Sequence, residues 1–310
     1  MSHSDSSEIP DEDGSLVEYE KLGLFVCQDF QCIKVIDCKG DEVVNFDSRE
    51  PDEEEEGDED DDEEMEALKK LEVKVLALAK NSYFNKVEIE FPVKTSDYSS
   101  SRVQHWEDKI LYDTERMEVI DWMKYISGDS LRISIDEDAE DSGDSCDEDN
   151  QFNYLPSLHK MNYTTLLTTC EGWNRVKIEL SLDSITAAQW KEMREGLLSR
   201  RISLKCLDVS LFEDDAKAVL LEIFGVKFRR RDSQLKFYSR EAGKTVDCYE
   251  RRSSNQFSVH SFDGLFRTEI YAFSDGRFDR FALKMEWIEN EEKVNRMKER
   301  YRSVECLQIR

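Results

Sequence analysis

Amphipathic helical segments alternate with short strands along most of this chain, and this order constrains the fold more than any other feature. Glu66–Asn81 places apolar residues at spacings of three and four, which is typical of one face of a helix. Lys86–Phe91 then alternates apolar and charged residues, as a half-buried strand does. The same order is predicted four more times, for the helix–strand pairs 114–126 and 131–135, 155–170 and 175–180, 187–199 and 206–211, and 214–224 and 234–238.

The spacing of these units predicts the fold class. The last two predicted strands start about 28 residues apart, and self-similarity at such a period is the signature of a solenoid. We therefore predict an α/β fold, an irregular leucine-rich-repeat-like helix–strand solenoid over residues 66–288, in which successive strands pair in parallel. The regular leucine-rich consensus is absent, so that a plain open α/β sheet stays as the alternative.

Both ends of this repeat body follow a different pattern. Two β-rich runs joined by residues 38–41 predict an N-terminal β-hairpin region over residues 21–50. Three alternating runs between Phe257 and Trp287, separated by Asp-Gly pairs at 263–264 and 275–276, predict a terminal antiparallel meander. Residues 289–310 predict a charged C-terminal helix with i,i+4 ion pairs.

Two acidic runs interrupt the pattern. Asp52–Glu66 and Asp136–Asp149 hold 13 and 9 acidic residues and no Lys or Arg, and without them the formal net charge of -27 would be -5. Blocks of like charge repel and cannot bury apolar surface, so we predict disordered segments at residues 1–20, 51–65 and 136–150. Ser142 and Ser145 in the second run are candidate phosphorylation sites for an acidophilic kinase.

The sequence shows none of the common catalytic or metal-binding motifs. The four histidines have no partner at ligand spacing, and neither a phosphate-cradling glycine motif nor a nucleophile elbow is present. Asp52–Glu63 has Gly and Glu at the sixth and twelfth places of a calcium loop, but glutamates replace its shorter ligands. We therefore expect a protein that is not an enzyme, with no catalytic residue, no cofactor and no metal.

Cysteine usage and charge set expectations for location and partners. The eight scattered cysteines, without a signal peptide or an 18-residue apolar stretch, predict a cytoplasmic or nuclear protein with no membrane partner. The net charge of -27 opposes the approach of phosphate backbones, so nucleic acid is not an expected partner despite the basic triplet Arg229–Arg231.

The repeat body resembles the leucine-rich-repeat-like regions of the large nematode F-box-associated families. The resemblance is carried by the strands RVKIEL and CLDVSL and by the closing segment, with matching residues at Phe257, Asp263, Gly264, Arg267, Thr268, Ile270 and Trp287. It covers residues 65–288 as an architecture and about 30 residues by motif. It implies substrate recognition in a ubiquitin-ligase context, although no F-box stands in residues 1–50.

The sequence favours a non-enzymatic protein-interaction module whose protein partner it does not identify. In a solenoid, the polar positions of successive strands would line one binding face, comprising Glu88, Glu90, Arg132, Ser134, Lys177, Glu179, Asp208, Ser210 and Lys236. The alternative hypothesis is an acidic chaperone that binds basic proteins such as histones through the two acidic runs.

Overall fold

Strands account for most of the regular structure. The computed structural model describes residues 16–26, 31–47, 62–93, 118–137, 160–179, 181–182, 185–231, 234–240, 248–252, 256–274 and 279–303. The strands are β1 (Val17–Val26), β2 (Gln31–Ile36), β3 (Glu42–Asp47), β4 (Ser82–Val93), β5 (Ser127–Glu137), β6 (Lys160–Met161), β7 (Arg175–Glu179), β8 (Ser181–Leu182), β9 (Cys206–Leu211), β10 (Val226–Arg231), β11 (Gln234–Arg240), β12 (Cys248–Arg252), β13 (Gln256–Asp263), β14 (Phe266–Ser274), β15 (Asp279–Trp287) and β16 (Arg302–Ser303). The helices are α1 (Asp62–Ala79), α2 (Tyr163–Cys170), α3 (Ala187–Leu198), α4 (Glu213–Val219, extended by a π-helical turn Leu220–Phe224) and α5 (Glu291–Arg300), with a 3₁₀ turn at Trp122–Tyr125.

Twelve of the strands form one open sheet. Their order is β16-β12-β13-β14-β15-β9-β7-β5-β4-β1-β2-β3. The five central strands β1, β4, β5, β7 and β9 pair in parallel. Antiparallel strands continue the sheet on both sides, with β2 and β3 beyond β1 and the series from β15 to β16 beyond β9.

The alternation of each central strand gives the sheet one apolar face. The register aligns apolar residues from neighbouring strands into rows, one of which contains Leu22, Val87, Leu131, Val176 and Leu207. Helices α1 to α4 cover this face with buried side chains such as Leu71, Leu166, Trp190 and Val219, which belong to the same core cluster. Burying one such aliphatic side chain contributes about 1.5–3 kcal/mol, so this layer holds the sheet and helices together.

The predicted solenoid is wrong. Only four of the five predicted repeat strands, β4, β5, β7 and β9, lie in the parallel part of the main sheet. Seven of its twelve strands pair only antiparallel, so the molecule is a mixed α/β structure built on one open sheet. Alternation along a strand does not determine the direction of its neighbour, so the predicted order of helices and strands could not show that antiparallel strands join the parallel ones in a single sheet. The structure agrees with the predicted N-terminal hairpin, as β2 and β3, and with the terminal antiparallel strands.

The strand that was predicted as the fifth repeat leaves the main sheet. β11 pairs with β10 in a separate two-stranded antiparallel sheet. Only two residues separate these strands, and such a short connection closes a local hairpin at much lower entropic cost than a crossover to the main sheet.

Three predicted segment boundaries also shift. β1 begins at Val17, so residues 17–20 belong to the sheet rather than to a tail. α1 begins at Asp62, inside the first acidic run, where acidic residues favour a helix N-terminus. β5 reaches Glu137, two residues into the second run. The helix predicted over 289–310 is also shorter, because it spans Glu291–Arg300 and β16 follows it at Arg302–Ser303. The remaining predicted disordered residues, 1–15, 51–61 and 138–150, and the C-terminal residues 304–310 lie outside the described residues.

Candidate functional site

The face of the sheet opposite α1 to α4 carries most of its charged side chains, and we call it the charged face. The register places residues from eight neighbouring strands in one transverse row across it: Gly23, Glu88, Arg132, Lys177, Asp208, Lys284, Glu269 and His260. The flanking rows add Lys21, Lys86, Arg175, Glu286 and Arg267 on one side and Glu90, Ser134, Glu179, Ser210 and Tyr271 on the other.

Eight of the nine predicted face residues lie on this surface. The register aligns Glu88, Arg132, Lys177 and Asp208 directly across their strands, as predicted. Glu90, Ser134 and Glu179 align in the next row, and Ser210 lies opposite Ala282 in the same row. Lys236 is the exception, because it lies on β11 in the separate hairpin. Ser142 and Ser145 are outside the described residues.

Glu88 lies at the centre of a network of ion pairs on β1, β4 and β5. Its carboxylate pairs with Lys21 and Lys86, and Arg132 Nη1 lies 3.9 Å from it. Burial raises the pKa of Glu88, but the hydrogen bonds from the two lysines outweigh this effect, so the pKa lies below its ordinary value. The carboxylate is therefore ionised and compensated where it lies.

Arg132 joins this network to β7. Its Nε donates a hydrogen bond of 2.9 Å to Glu179 Oε2, and its Nη2 lies 2.8 Å from the same oxygen. Arg132 Nη1 also lies 3.8 Å from Glu90, and Lys177 pairs with Glu179 at 2.6 Å. Burial raises the pKa of Glu179, and the hydrogen bonds from Lys177 and Arg132 lower it further than burial raises it.

The charged face is layered, with carboxylates beneath and cations outside. The side chains of Lys86, Lys177 and Arg132 are 48%, 45% and 38% exposed, whereas those of Glu88 and Glu90 are 6% and 14% exposed. Lysine and arginine reach solvent because their long aliphatic stems pass over the buried carboxylates. A partner approaching this face therefore meets mainly positive groups, although the whole chain is strongly acidic.

Asp208 and Tyr271 form a second polar contact, towards the antiparallel strands. The Tyr271 hydroxyl donates to Asp208 Oδ1 at 3.0 Å, and its distance to Oδ2 is 3.3 Å. Burial raises the pKa of Asp208, and the tyrosine hydrogen bond and Lys284 reduce this rise without cancelling it. Burial also raises the pKa of Tyr271, with the negative charge of Asp208 adding to the effect.

A buried cluster of Ser258, His260 and Glu269 lies farther along the same face. Ser258 Oγ is 2.7 Å from His260 Nε2, and His260 Nδ1 is 3.7 Å from Glu269 Oε1. The order is that of a nucleophile, a base and an acid, but all three residues are buried and the Tyr301 ring stacks on His260 at 4.0 Å. With the imidazole covered in this way, the arrangement serves to anchor the segment that follows α5.

The sequence did not single out several residues of the charged face. Lys21, Lys284 and Tyr271 lie on it because β1 pairs with β4, β15 with β9 and β14 with β15. Lys86 lies on β4 in phase with Glu88 and Glu90 but was not assigned to the face, and Arg267 was named only for the family resemblance. Alternation within β14 and β15 indicates that these positions share a face of their own strands, but nothing local to the sequence shows which strand lies beside which.

Within the described ranges, no group of three or more His, Cys, Asp or Glu side chains is arranged to hold a metal ion. The helices in those same ranges also lack a span that is long and apolar enough to cross a membrane. Comparison with protein-family models, curated proteins and solved structures found no match for this chain.

Proposed function

We propose that this protein is a non-catalytic interaction module that binds a protein partner across the charged face. The observation that carries the proposal is the layering of that face, in which exposed cations lie over buried, compensated carboxylates. Such a surface offers long side chains that can leave their internal partners for those of an incoming protein. Glu88 has three cationic partners, Lys21, Lys86 and Arg132, so that turning one of them towards an incoming protein leaves the buried carboxylate compensated by the others.

The shape of the molecule supports the same proposal. α1 to α4 pack on the apolar face, whereas α5 contacts the charged face only near the antiparallel strands, where Lys298 lies over Phe262 and Tyr301 over His260. Lys86, Lys177 and Arg132 remain exposed on the parallel strands, on a backbone held rigid by the sheet. A protein partner whose acidic groups are spaced like residues on neighbouring strands would be complementary to these cations.

The double variant Lys86→Gln/Lys177→Gln tests the proposal. Partners are first captured from native extract with the full chain, and the affinity of an identified partner is then measured for both proteins. We expect the variant to bind at least about tenfold more weakly, since two interfacial cations are lost at about 1 kcal/mol or more each. Glutamine keeps the first two methylenes of each stem, and Lys21 and Arg132 still compensate Glu88, so that we expect folding to be little affected.

A matched control is available on the helical side of the molecule. Lys191→Gln/Lys217→Gln removes the same charge from exposed positions on α3 and α4, where the side chains are 49% and 39% exposed. This control should bind like the unmodified chain. Equal loss in both variants would mean that only net charge matters, and the proposed face would be the wrong surface.

The family resemblance adds a context for this partner. If the partner is a substrate delivered to a ubiquitin ligase, the extract should also yield a ligase adaptor together with the full chain. If partners are captured without a ligase adaptor, the proposed binding face stands and the ubiquitin-ligase context is contradicted.

A specific observation favours the second candidate function, an acidic chaperone for basic proteins. α1 is followed after two residues by β4, so that its N-terminus at Asp62 lies towards the carboxyl ends of the parallel strands. β5 ends at Glu137 at the same edge of the sheet. Both acidic runs are therefore attached at one edge, from which they could bind one basic partner together.

A variant in which the acidic residues of 52–61 and 138–149 are replaced by their amides separates the two functions. The chaperone hypothesis expects basic partners that salt releases and that this variant no longer captures. The interaction-face proposal expects the same partners to be captured by the variant and lost with Lys86→Gln/Lys177→Gln.

A further inference from the structure

A cavity of about 590 Å³ lies between α5 and β14, away from the parallel strands of the charged face. Its walls include Arg267 of β14, Glu289, and Lys293, Arg296 and Arg300 of α5, with Tyr301 at one end. The three α5 residues are spaced three and four apart, so they lie on one side of the helix. Four cations thus line the cavity with one carboxylate.

Arg267 gives this cavity a fixed, buried cation. Its side chain is 9% exposed, and its Nη2 lies 3.1 Å from Glu269 and also pairs with Glu286. Its Nε is buried and has no hydrogen-bond partner among the described residues, so the contact of Arg267 with the cavity comes from the rest of its side chain.

The cations of α5 are free to meet an incoming anion. Among the described residues, Lys293 and Arg296 pair only with Glu289 and Glu292 one turn earlier on the helix, at 3.5 and 2.9 Å, and these side chains are more than half exposed. Exposed i,i+4 pairs of this kind are weak and exchange readily. Arg300 makes no ion pair with any residue in the described part of the chain.

We propose that this cavity binds a phosphate monoester, with Arg267 and Arg300 as the principal contacts to the phosphate oxygens. Guanidinium groups match the geometry of phosphate, and Lys293 and Arg296 add positive charge around it. The cavity is large enough to hold, besides the phosphate, part of the organic group that carries it. The site is separate from the parallel part of the charged face, and its failure would leave the proposed interaction function intact.

NMR titration of the full chain with inorganic phosphate and with O-phosphoserine tests the proposal at low ionic strength. We expect the Arg267 Nε–H resonance to shift on saturation, with a dissociation constant on the order of millimolar for so small a ligand. Arg300→Ala should weaken the binding of both ligands about tenfold, which is the loss of one charged hydrogen bond.

Lys298→Ala is the matched control, since it removes a cation from the same helix at a position that lies over Phe262 rather than in the cavity wall. It should bind phosphate as the unmodified chain does. Binding that Arg300→Ala and Lys298→Ala weaken equally would overturn the proposal, because only general charge would then be involved. Equal binding of succinate, a dianion with separated charges, would also overturn it. A stronger response to O-phosphoserine than to inorganic phosphate would support the role of the organic group.

Discussion

At the scale of single residues, Gly128 shows how closely the first parallel strands pack. It lies at the start of β5, where an added Cβ would come within 2.5 Å of the Phe84 carbonyl oxygen and 2.9 Å of the Trp173 ring. The backbone contact cannot be relieved by a change of rotamer. We predict that Gly128→Ala lowers the free energy of unfolding by about 2–3 kcal/mol, measured by urea denaturation, because the strands must separate locally.

Gly23→Ala on β1 provides the control for this substitution. Its added Cβ would lie 3.6 Å from its nearest neighbour, which is an ordinary van der Waals distance. Alanine also restricts the unfolded chain more than glycine does, so this variant should be as stable as the unmodified protein or slightly more stable. If both alanine variants had wild-type stability, the close contact at Gly128 would be contradicted.

Asp208 allows a prediction about pH. Burial raises the pKa of its carboxyl group, so the folded protein holds this proton more tightly than the unfolded chain does. The contribution of Asp208 to stability therefore falls as the pH rises from the unfolded pKa to the folded pKa, and it stays low above that. Asp208→Asn can still accept the Tyr271 hydrogen bond, and we predict that it gains stability relative to the unmodified chain as the pH rises from the unfolded pKa of an aspartate, about 3.9, through the raised folded pKa. Urea denaturation at several pH values measures this.

Glu88→Gln should show the opposite trend. The pKa of Glu88 is lowered, so its contribution to stability is present above the unfolded pKa and is lost as the pH falls through the folded pKa. Glu88→Gln should thus be less stable than the unmodified chain at neutral pH, and the difference should shrink in acid. If the stability of both variants relative to the unmodified chain changed with pH in the same direction, the opposite pKa shifts of Asp208 and Glu88 would be contradicted.

At the scale of elements, one aromatic side chain contributes a well-defined contact between the end of α5 and the sheet. The Tyr301 ring, directly after α5, stacks on buried His260 at 4.0 Å with an interplanar angle of 8°. We predict that Tyr301→Ala lowers the stability by about 1–3 kcal/mol and increases hydrogen exchange in α5, because the stacked ring and its buried area are lost. Tyr301→Phe keeps the ring, so the amides of α5 should stay protected from hydrogen exchange. If both variants lost this protection, the hydroxyl group and not the stacked ring would hold α5 in place.

Much of the secondary structure could be predicted from local patterns. The strands β4, β5, β7 and β9 and the helices α1 and α3 follow from period-2 alternation, apolar spacing and the Thr186 cap, which the structure shows as a capping box with Gln189. β1 was missed over residues 17–20, where Glu18 and Glu20 are exposed and the local sequence is polar. Its place in the sheet comes from parallel pairing with β4, which is a contact between residues about 65 positions apart.

The candidate site was predictable only within the central strands. Arg132 and Lys177 could be assigned to one face because they alternate with buried neighbours, and parallel order along the chain aligned them. The same reasoning placed Lys236 on the wrong sheet, because β11 pairs with its sequence neighbour β10 in a local hairpin and not with the main sheet. The layering of cations over carboxylates could not be predicted, since exposure depends on side-chain length and on pairing across strands.

At the scale of the whole molecule, one sheet separates two environments. The apolar face and its helices contain the core, whereas the other face carries paired charges across the parallel strands and a short helix over the antiparallel ones. The parallel strands need covering helices, which their crossovers supply on one side only. Polar residues on the second face allow the parallel strands to lack a covering helix there, among the described residues, without exposing an apolar surface.

The acidic runs should affect the stability of the entire molecule through long-range repulsion. Both are attached at the carboxyl edge of the parallel strands, so folding brings their charges closer together than they are in the unfolded chain. Replacing the acidic residues of 52–61 and 138–149 by amides removes 9 and 7 negative charges and changes the net charge from -27 to -11. We predict that this variant is more stable than the unmodified chain at low salt, because self-repulsion destabilises a compact state.

Salt distinguishes this effect from a local one. The Debye length falls from about 10 Å at 0.1 M to about 3 Å at 1 M, so added salt should stabilise the unmodified chain more than the amide variant and bring their unfolding free energies together. Urea is the suitable denaturant, since it leaves the ionic strength unchanged. If the difference in stability were the same at both salt concentrations, the acidic residues would be acting through specific contacts rather than through charge at a distance. A stability difference that disappears with salt, together with unchanged partner capture by the variant, would show that the runs act on the fold while the charged face carries recognition.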